Sequence, residues 1–427
     1  MKSEAEYDVG VDAEQVAARG AKPRLPRILC AAMTLQFAAG GAVIPFVTLF
    51  LRDRGLEFSQ ISQIFLASST TLLMFPFFWG MLADRYVPLN RLFTVLNLLA
   101  GVALMAFALQ RQFAGLLVTF TLFVACLNPM FSLINALSFH HLSDPQEQFG
   151  RLRAWGSIGW IVPFLPISLW MLYNRHTQLE FAVLLSAGLC LAMAVLSLWL
   201  PHTPPGARQK LLGSPSHGAY LPAMKRLLGD ANYLAVLVSM FLMAGSYSLL
   251  IYYSPPFLED AGVPRLWIGP IQSIGIICEI IIFQWQPALL RRWNYTAIIL
   301  TGCVALLLRH VLYSVAESAW ILSLSYVLAG MVIVFYHMAV SVLVNAMAGP
   351  QVRATAQTLL ILLGSGLGPM FANWMAGRLA SQQGNNLRPV FLFAAGLAAV
   401  AAALIGVRGR QLDRVSENRD SHEMNSR

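Results

Sequence analysis

An arginine, a serine and a tryptophan share one face of a helix that the sequence predicts from about residue 149. Arg153, Ser157 and Trp160 are spaced i, i+4 and i+7, so their side chains lie on the same side. A guanidinium, a hydroxyl and an indole can offer bidentate hydrogen bonds, a small donor and a stacking surface. The spacing predicts a binding face. The alternative is that Arg153 only extends to lipid headgroups and Trp160 only packs.

One carboxylate stands apart from the other acidic residues. Of 20 Asp and Glu residues, Glu279 is the one that we place well inside an apolar segment. Gln272 lies seven residues earlier, on the same helical face. A carboxylate in apolar surroundings is costly, so Glu279 is a candidate functional residue. The alternative is a buried glutamate that is paired only for packing.

The composition is that of a polytopic membrane protein. Hydrophobic residues make up 57% of the chain and charged residues 11%, and the mean hydropathy is +0.63. A soluble domain carries about 25% charged residues. The net charge of +9 therefore concerns membrane topology rather than nucleic acid. The five cysteines fall in apolar segments and indicate packing, so the sequence predicts no disulfide, metal site or cofactor.

Twelve apolar runs are long enough to span a bilayer, which takes about 20 residues. The predicted fold is therefore an all-α membrane protein with two bundles of six transmembrane helices. The predicted organisation is a tail (1–26), a first bundle (27–200), a linker loop (201–230), a second bundle (231–408) and a polar, unstructured tail (409–427). The predicted spans are 27–51, 59–81, 90–110, 113–139, 149–173, 179–200, 231–257, 267–289, 294–315, 319–345, 354–379 and 388–407.

The distribution of basic residues predicts the orientation of these spans. Lysine and arginine are concentrated in the tails and in alternate loops, which follows the positive-inside rule if both termini are cytoplasmic. The first 26 residues are polar and contain no signal peptide. We therefore predict a multi-pass protein of a bacterial-type inner membrane.

The start of the fifth span resembles a known transporter motif. The run Phe149-Gly150-Arg151-x-Arg153-x-x-Gly156-x-x-Gly159-Trp160 resembles the fifth helix of lactose permease, phenylpropionate permease and the nucleoside:proton symporters. These are branches of the major facilitator superfamily. The resemblance implies that Arg153 grips substrate, that Trp160 stacks on its ring and that Ser157 lines the cavity.

Further runs resemble the same superfamily. Asp84 and Arg85, after Gly80, resemble the signature between helices 2 and 3, without its second glycine. The resemblance implies a gating latch, and a solvated turn is the alternative.

Arg309 and His337 match the lactose permease residues that handle protons, and Glu279 matches a cavity glutamate of the phenylpropionate and nucleoside branches. These matches imply that Glu279, Arg309 and His337 couple transport to protons.

Polar residues in spans 4 and 7 are also candidates for the cavity wall. Asn128, Ser132 and Asn135 share one face of span 4, and Tyr252 lies near the end of span 7. The alternatives are amides that join helices and an aromatic belt at the membrane surface. Asn135 stands where lactose permease has a carboxylate, and nucleoside symporters also carry Asn there.

The sequence as a whole predicts a proton-coupled symporter that imports a small polar solute. A nucleoside is the leading solute, because Asn135 and the run Leu200-Pro201-His202-x-Pro204 resemble the nucleoside branch. An oligosaccharide or an aromatic acid is the alternative. The predicted partners are the solute, protons and the lipid bilayer, and the predicted state is a monomer. An enzyme would need a second deep acid or a nucleophile and base, which we do not find, and a non-transporting receptor stays open.

Overall fold

Twelve long apolar helices form the computed structural model, which describes residues 25–174, 179–205, 217–349 and 352–425. Each predicted span corresponds to one of them, so the predicted all-α fold with twelve spans is confirmed. All twelve are long and apolar enough to cross a membrane. In chain order they are α1 Arg27–Asp53, α2 Phe58–Ala83, α3 Leu89–Leu109, α4 Phe113–His141, α5 Gln148–Asn174, α6 Glu180–Trp199, α7 Ala231–Asp260, α8 Arg265–Trp285, α9 Tyr295–Val315, α10 Ala319–Met347, α11 Thr355–Gln382 and α12 Arg388–Arg414.

The two halves repeat one packing scheme. In the first half α1 packs against α5 and α6, and α3 packs against α6; in the second half α7 packs against α11 and α12, and α9 packs against α12. Each contact thus recurs six helices later. The halves meet where α2 lies along α11 and where α5 lies along α8. A solute that binds between the halves is therefore surrounded by helices of both.

Prolines interrupt two of the helices beside the interface. The helix in α1 ends at Val43 and resumes at Val47, across Pro45, and the helix in α5 is broken between Ile161 and Phe164, across Pro163. Proline has no N–H to donate and its ring clashes with the preceding turn, so these breaks are expected. Two later helices contain π-helical turns, at Ile333–Met338 and Leu362–Leu367. Such turns often occur at functional sites.

Glycines allow the helices that carry the candidate residues to approach closely. A Cβ on Gly41 of α1 would collide with the backbone oxygen of Trp160 on α5. In the second half, a Cβ on Gly330 of α10 would lie 2.5 Å from the backbone nitrogen of Glu279 and 2.6 Å from the backbone oxygen of Gly275, both on α8. Side chains larger than hydrogen would separate these helices. The spacing between the helices that carry Trp160 and Glu279 and their neighbours is therefore set by backbone contact.

Two predicted loop segments contain helix. The predicted linker loop 201–230 includes the helix His217–Gly229. The last helix continues as backbone to Asn425, whereas the sequence predicted no structure after Gly409. Extending a formed helix costs much less than starting one, so the membrane span carries the helix into the polar tail. The predicted N-terminal tail lies outside the described residues except for its last two.

Candidate binding cavity

A cavity of about 370 Å³ lies between the two halves. This volume is within the range of small-molecule sites, about 300–1,000 Å³. Both halves contribute to its wall, through α1, α4 and α5 on one side and α7 to α10 on the other. The residues predicted from the sequence that line it are Asn128, Arg153, Ser157, Trp160, Tyr252, Gln272, Glu279 and Arg309.

The α5 face contributes a guanidinium, a hydroxyl and an indole to the cavity, as its spacing predicts. The Arg153 guanidinium lies over the ring of Phe37, with its Cζ 4.3 Å from the ring centroid. Its Nη1 is buried and has no hydrogen-bond partner. Trp160 lies against Phe131, with ring centroids 6.4 Å apart. Ser157 completes this wall, so the first half presents an unused donor beside an aromatic surface.

The α8 face contributes the only acidic side chain among the described residues of the cavity wall. Glu279 faces the cavity, and its charge interacts with that of Arg153 on the opposite half. No basic side chain among the described residues lies within 4.0 Å of it. Gln272, two turns away, has a buried Nε2 with no partner. The two residues leave an acceptor and a donor available to a solute.

Arg309 of α9 approaches the cavity from behind two tyrosines. Its side chain is almost fully buried, at 3% exposure. The guanidinium Cζ is 4.0 Å from the ring centroid of Tyr326 and 5.7 Å from that of Tyr313. Its Nε and Nη2 have no hydrogen-bond partner. The neighbouring His310 faces another way, since its Nε2 is 2.9 Å from the Ser246 hydroxyl.

Several predicted site residues do not line this cavity. The Ser132 hydroxyl donates to the backbone oxygen of Pro129 at 2.8 Å, and the buried Oδ1 of Asn135 has no partner. His337 packs behind Tyr247, with ring centroids 5.6 Å apart. The predicted roles of Ser132, Asn135 and His337 therefore require contacts that this conformation does not make. They stay predictions.

The predicted latch lies at the end of α2, away from the cavity. Arg85 is exposed, and the Asp84 side chain is outside the described part of the structure. The predicted gating role of both residues stays a prediction.

At one end of the cavity, charged and aromatic residues join the halves; we call it the ion-pair end. Arg265 of α8 forms two hydrogen bonds with Asp53 of α1, Nη1 to Oδ2 and Nη2 to Oδ1, each at 2.7 Å. Arg52 of α1 contacts Asp260 of α7 at 2.9 Å. Below these pairs, Tyr252 of α7 stacks on Phe65 of α2 with ring centroids 4.0 Å apart. These contacts join the two halves on this side of the cavity.

The cavity continues toward the opposite end. A second cavity of about 40 Å³ shares Arg153, Ser157 and Glu279 with the first. Its other lining residues include Gly150, near the start of α5, and Gln284, near the end of α8. The central cavity therefore extends away from the ion-pair end.

Several aromatic residues of the wall carry no signal in the sequence. Phe37, Phe131 and Tyr326 line the cavity, but an aromatic residue in an apolar span resembles any lipid-facing or core residue. Tyr247 of α7 also lines it, five residues before Tyr252.

Comparison with known proteins places this architecture in a family. The family model described as "MFS_1 like family" matches residues 28–393. The chain belongs to the MFS_1-like family. Among its relatives, the Escherichia coli (strain K12) protein named "Putative nucleoside transporter YegT" is 25% identical over 404 residues, which cover 89% of this chain and 93% of the relative. "Nucleoside permease NupG" of the same strain is 23% identical and covers 86% and 92%.

The structural comparison agrees on the fold. A crystal structure of the nucleoside transporter NupG superposes with a TM-score of 0.76 at 20% sequence identity, and covers 89% of this chain and 98% of that chain. At this identity the likeness establishes the fold, which is that of the MFS_1-like family. Both relatives are named as transporters or permeases rather than enzymes.

Proposed function

We propose that the chain is a secondary transporter that imports a nucleoside together with protons by alternating access. The observation that carries the proposal is the central cavity, whose wall takes Arg153, Ser157 and Trp160 from one half and Gln272 and Glu279 from the other. When the binding site lies at the midplane between two bundles, rocking of the halves exposes the solute to each side of the membrane in turn.

The ion-pair end and the direction in which the cavity extends support this mechanism. With both termini in the cytoplasm, as the positive-inside rule requires, α1 and α7 end outside, so the ion-pair end is external. The cavity then extends toward the cytoplasm, and the structure corresponds to an inward-facing state. Opening to the outside requires the Arg265–Asp53 and Arg52–Asp260 pairs to separate.

In this proposal the first half grips the solute and the second half carries the proton. The unpartnered Nη1 of Arg153 donates to solute oxygens, and Trp160 stacks on the ring. Glu279 binds a proton in the outward-facing state and releases it inside. If solute binding favours the protonated form, the two fluxes are linked. A monomer contains the complete cavity, so no partner subunit is needed.

The nucleoside is the solute that the relatives favour, because both are named for nucleosides. Trp160 with Phe131 offers aromatic surface for a base, and Gln272 offers an unpartnered amide for its edge. An aromatic acid is the second candidate, since two arginines against one carboxylate line the cavity.

The test is uptake of labelled nucleosides, sugars and aromatic acids in cells that lack other permeases. We expect nucleosides to accumulate, and Trp160→Ala to abolish accumulation. Trp320→Ala is the matched control, because Trp320 is 86% exposed and lies outside the cavity. If a sugar or an aromatic acid accumulates and no nucleoside does, the nucleoside assignment is wrong.

A further inference from the structure

Arg309 carries a positive charge that its surroundings do not neutralise. The side chain is 3% exposed and lines the central cavity. It forms no ion pair with any described residue. A buried guanidinium without a counter-charge is costly, so buried arginines are normally paired with an anion. The structure thus leaves a binding position for an anion beside Arg309.

The sum of the charges on the cavity wall also indicates that a negative charge is missing. Among its described residues, Arg153 and Arg309 are the basic ones and Glu279 is the acidic one. The charge of Glu279 interacts with that of Arg153 across the cavity. Even with Glu279 ionised, the wall therefore carries an excess of one positive charge, and Arg309 has no ion-pair partner among the described residues.

The contacts of Arg309 orient it without supplying a counter-charge. Its guanidinium stacks on Tyr326, with Cζ 4.0 Å from the ring centroid, and this cation–π contact is attractive but leaves the charge in place. The two atoms without a partner are Nε and Nη2. These atoms form one edge of the guanidinium, and paired N–H groups of this kind bind a carboxylate in the bidentate manner.

We infer that the cavity selects solutes that carry one negative charge, and that Arg309 binds the charged group while an aromatic surface holds the ring. This inference rests on the proposed transport function and narrows its substrate class. For nucleosides, it selects those whose base is anionic at neutral pH, such as a base with a carboxylate substituent, over neutral ones. Charge-assisted hydrogen bonds of this kind correspond to about tenfold to a hundredfold in affinity.

The test uses pairs of compounds that differ only in charge. Binding to the purified full chain in detergent is measured by thermal stabilisation, with uridine against orotidine (uridine with a 6-carboxylate) and phenylacetamide against phenylacetate. We expect the anionic member of at least one pair to bind at least about tenfold more tightly. If each neutral member binds as tightly as its anionic partner, the inference is overturned, and binding of uridine would still support the proposed function.

A charge-neutral variant assigns the preference to Arg309. We expect Arg309→Gln to remove the preference for the anion and Arg309→Lys to retain part of it. Arg378→Gln is the matched control, because Arg378 also stacks on an aromatic ring, with Cζ 4.3 Å from the centroid of the Trp374 ring, but lies outside the cavity. A preference that persists in Arg309→Gln overturns the inference. If Arg309→Gln does not fold, the Lys variant and the wild-type comparison test it. Binding of phenylacetate without binding of either nucleoside supports it and contradicts the nucleoside assignment.

Discussion

Removing the Arg265 guanidinium should open the ion-pair end. Arg265 of α8 forms two hydrogen bonds across the interface with Asp53 of α1, each at 2.7 Å, and a further pair with Glu259 of its own half. Arg265→Gln removes the cross-interface pair while the Arg52–Asp260 pair remains. Because the lost bonds exist only when this end is closed, the variant should favour the conformation that is open on this side.

The size of the shift follows from the geometry. The pair is bidentate, and its side chains are 15% and 25% exposed, so it lies between a surface pair, at about 0–1 kcal/mol, and a buried one. We take about 2 kcal/mol, which corresponds to about a thirtyfold change in the ratio of the two conformations. A shift of this size is typical of coupled conformational equilibria.

The assay is a distance measurement between spin labels on Glu57→Cys and Ala261→Cys, which lie on opposite halves at this end. Arg265→Gln should move population to longer distances. Arg54→Gln is the control, because Arg54 contacts Glu180 at 2.8 Å within the first half and should not affect the distances. An unchanged distribution in Arg265→Gln, or an equal change in Arg54→Gln, would refute the reasoning.

Two further substitutions test the walls of the cavity. Arg153→Lys keeps the charge but loses the planar fork, so solute affinity should fall about tenfold or more in a protein that still folds; unchanged affinity in a binding assay would mean that the guanidinium of Arg153 does not hold the solute. Gly330→Ala should destabilise the protein by about 1–3 kcal/mol through overpacking, because its Cβ would lie 2.5 Å from the Glu279 nitrogen, and this should lower the melting temperature in detergent. Gly396→Ala meets no atom within 4 Å and should leave it unchanged; equal effects would contradict the packing argument.

The membrane fold could be predicted from the sequence because spanning a bilayer requires a long apolar run, and each such run became one helix. Two binding faces could also be predicted, since helical spacing fixes direction. Arg153, Ser157 and Trp160 line the same cavity, as do Gln272 and Glu279, seven residues apart.

Helical spacing gives the direction of a side chain but not its position along the helix axis relative to the cavity. This explains one difference between prediction and structure on α4. Asn128 and Asn135 share a face, but Asn128 lines the cavity and Asn135, two turns further on, does not. His337 differs for another reason. It lies in the π-helical turn Ile333–Met338, which adds a residue per turn and so rotates later side chains away from the direction that regular spacing predicts. Tyr326 could not be predicted, because an aromatic residue in an apolar span carries no distinguishing signal.

The central claim is that Glu279 couples solute movement to protons, and the direct measurement is uptake into proteoliposomes with an imposed pH gradient. Wild-type protein should accumulate labelled nucleoside above its external concentration when the outside is acidic. Glu279→Gln, which cannot release a proton, should lose this accumulation and still exchange internal for external solute. Accumulation by Glu279→Gln that responds to the pH gradient as the wild type does would contradict the account.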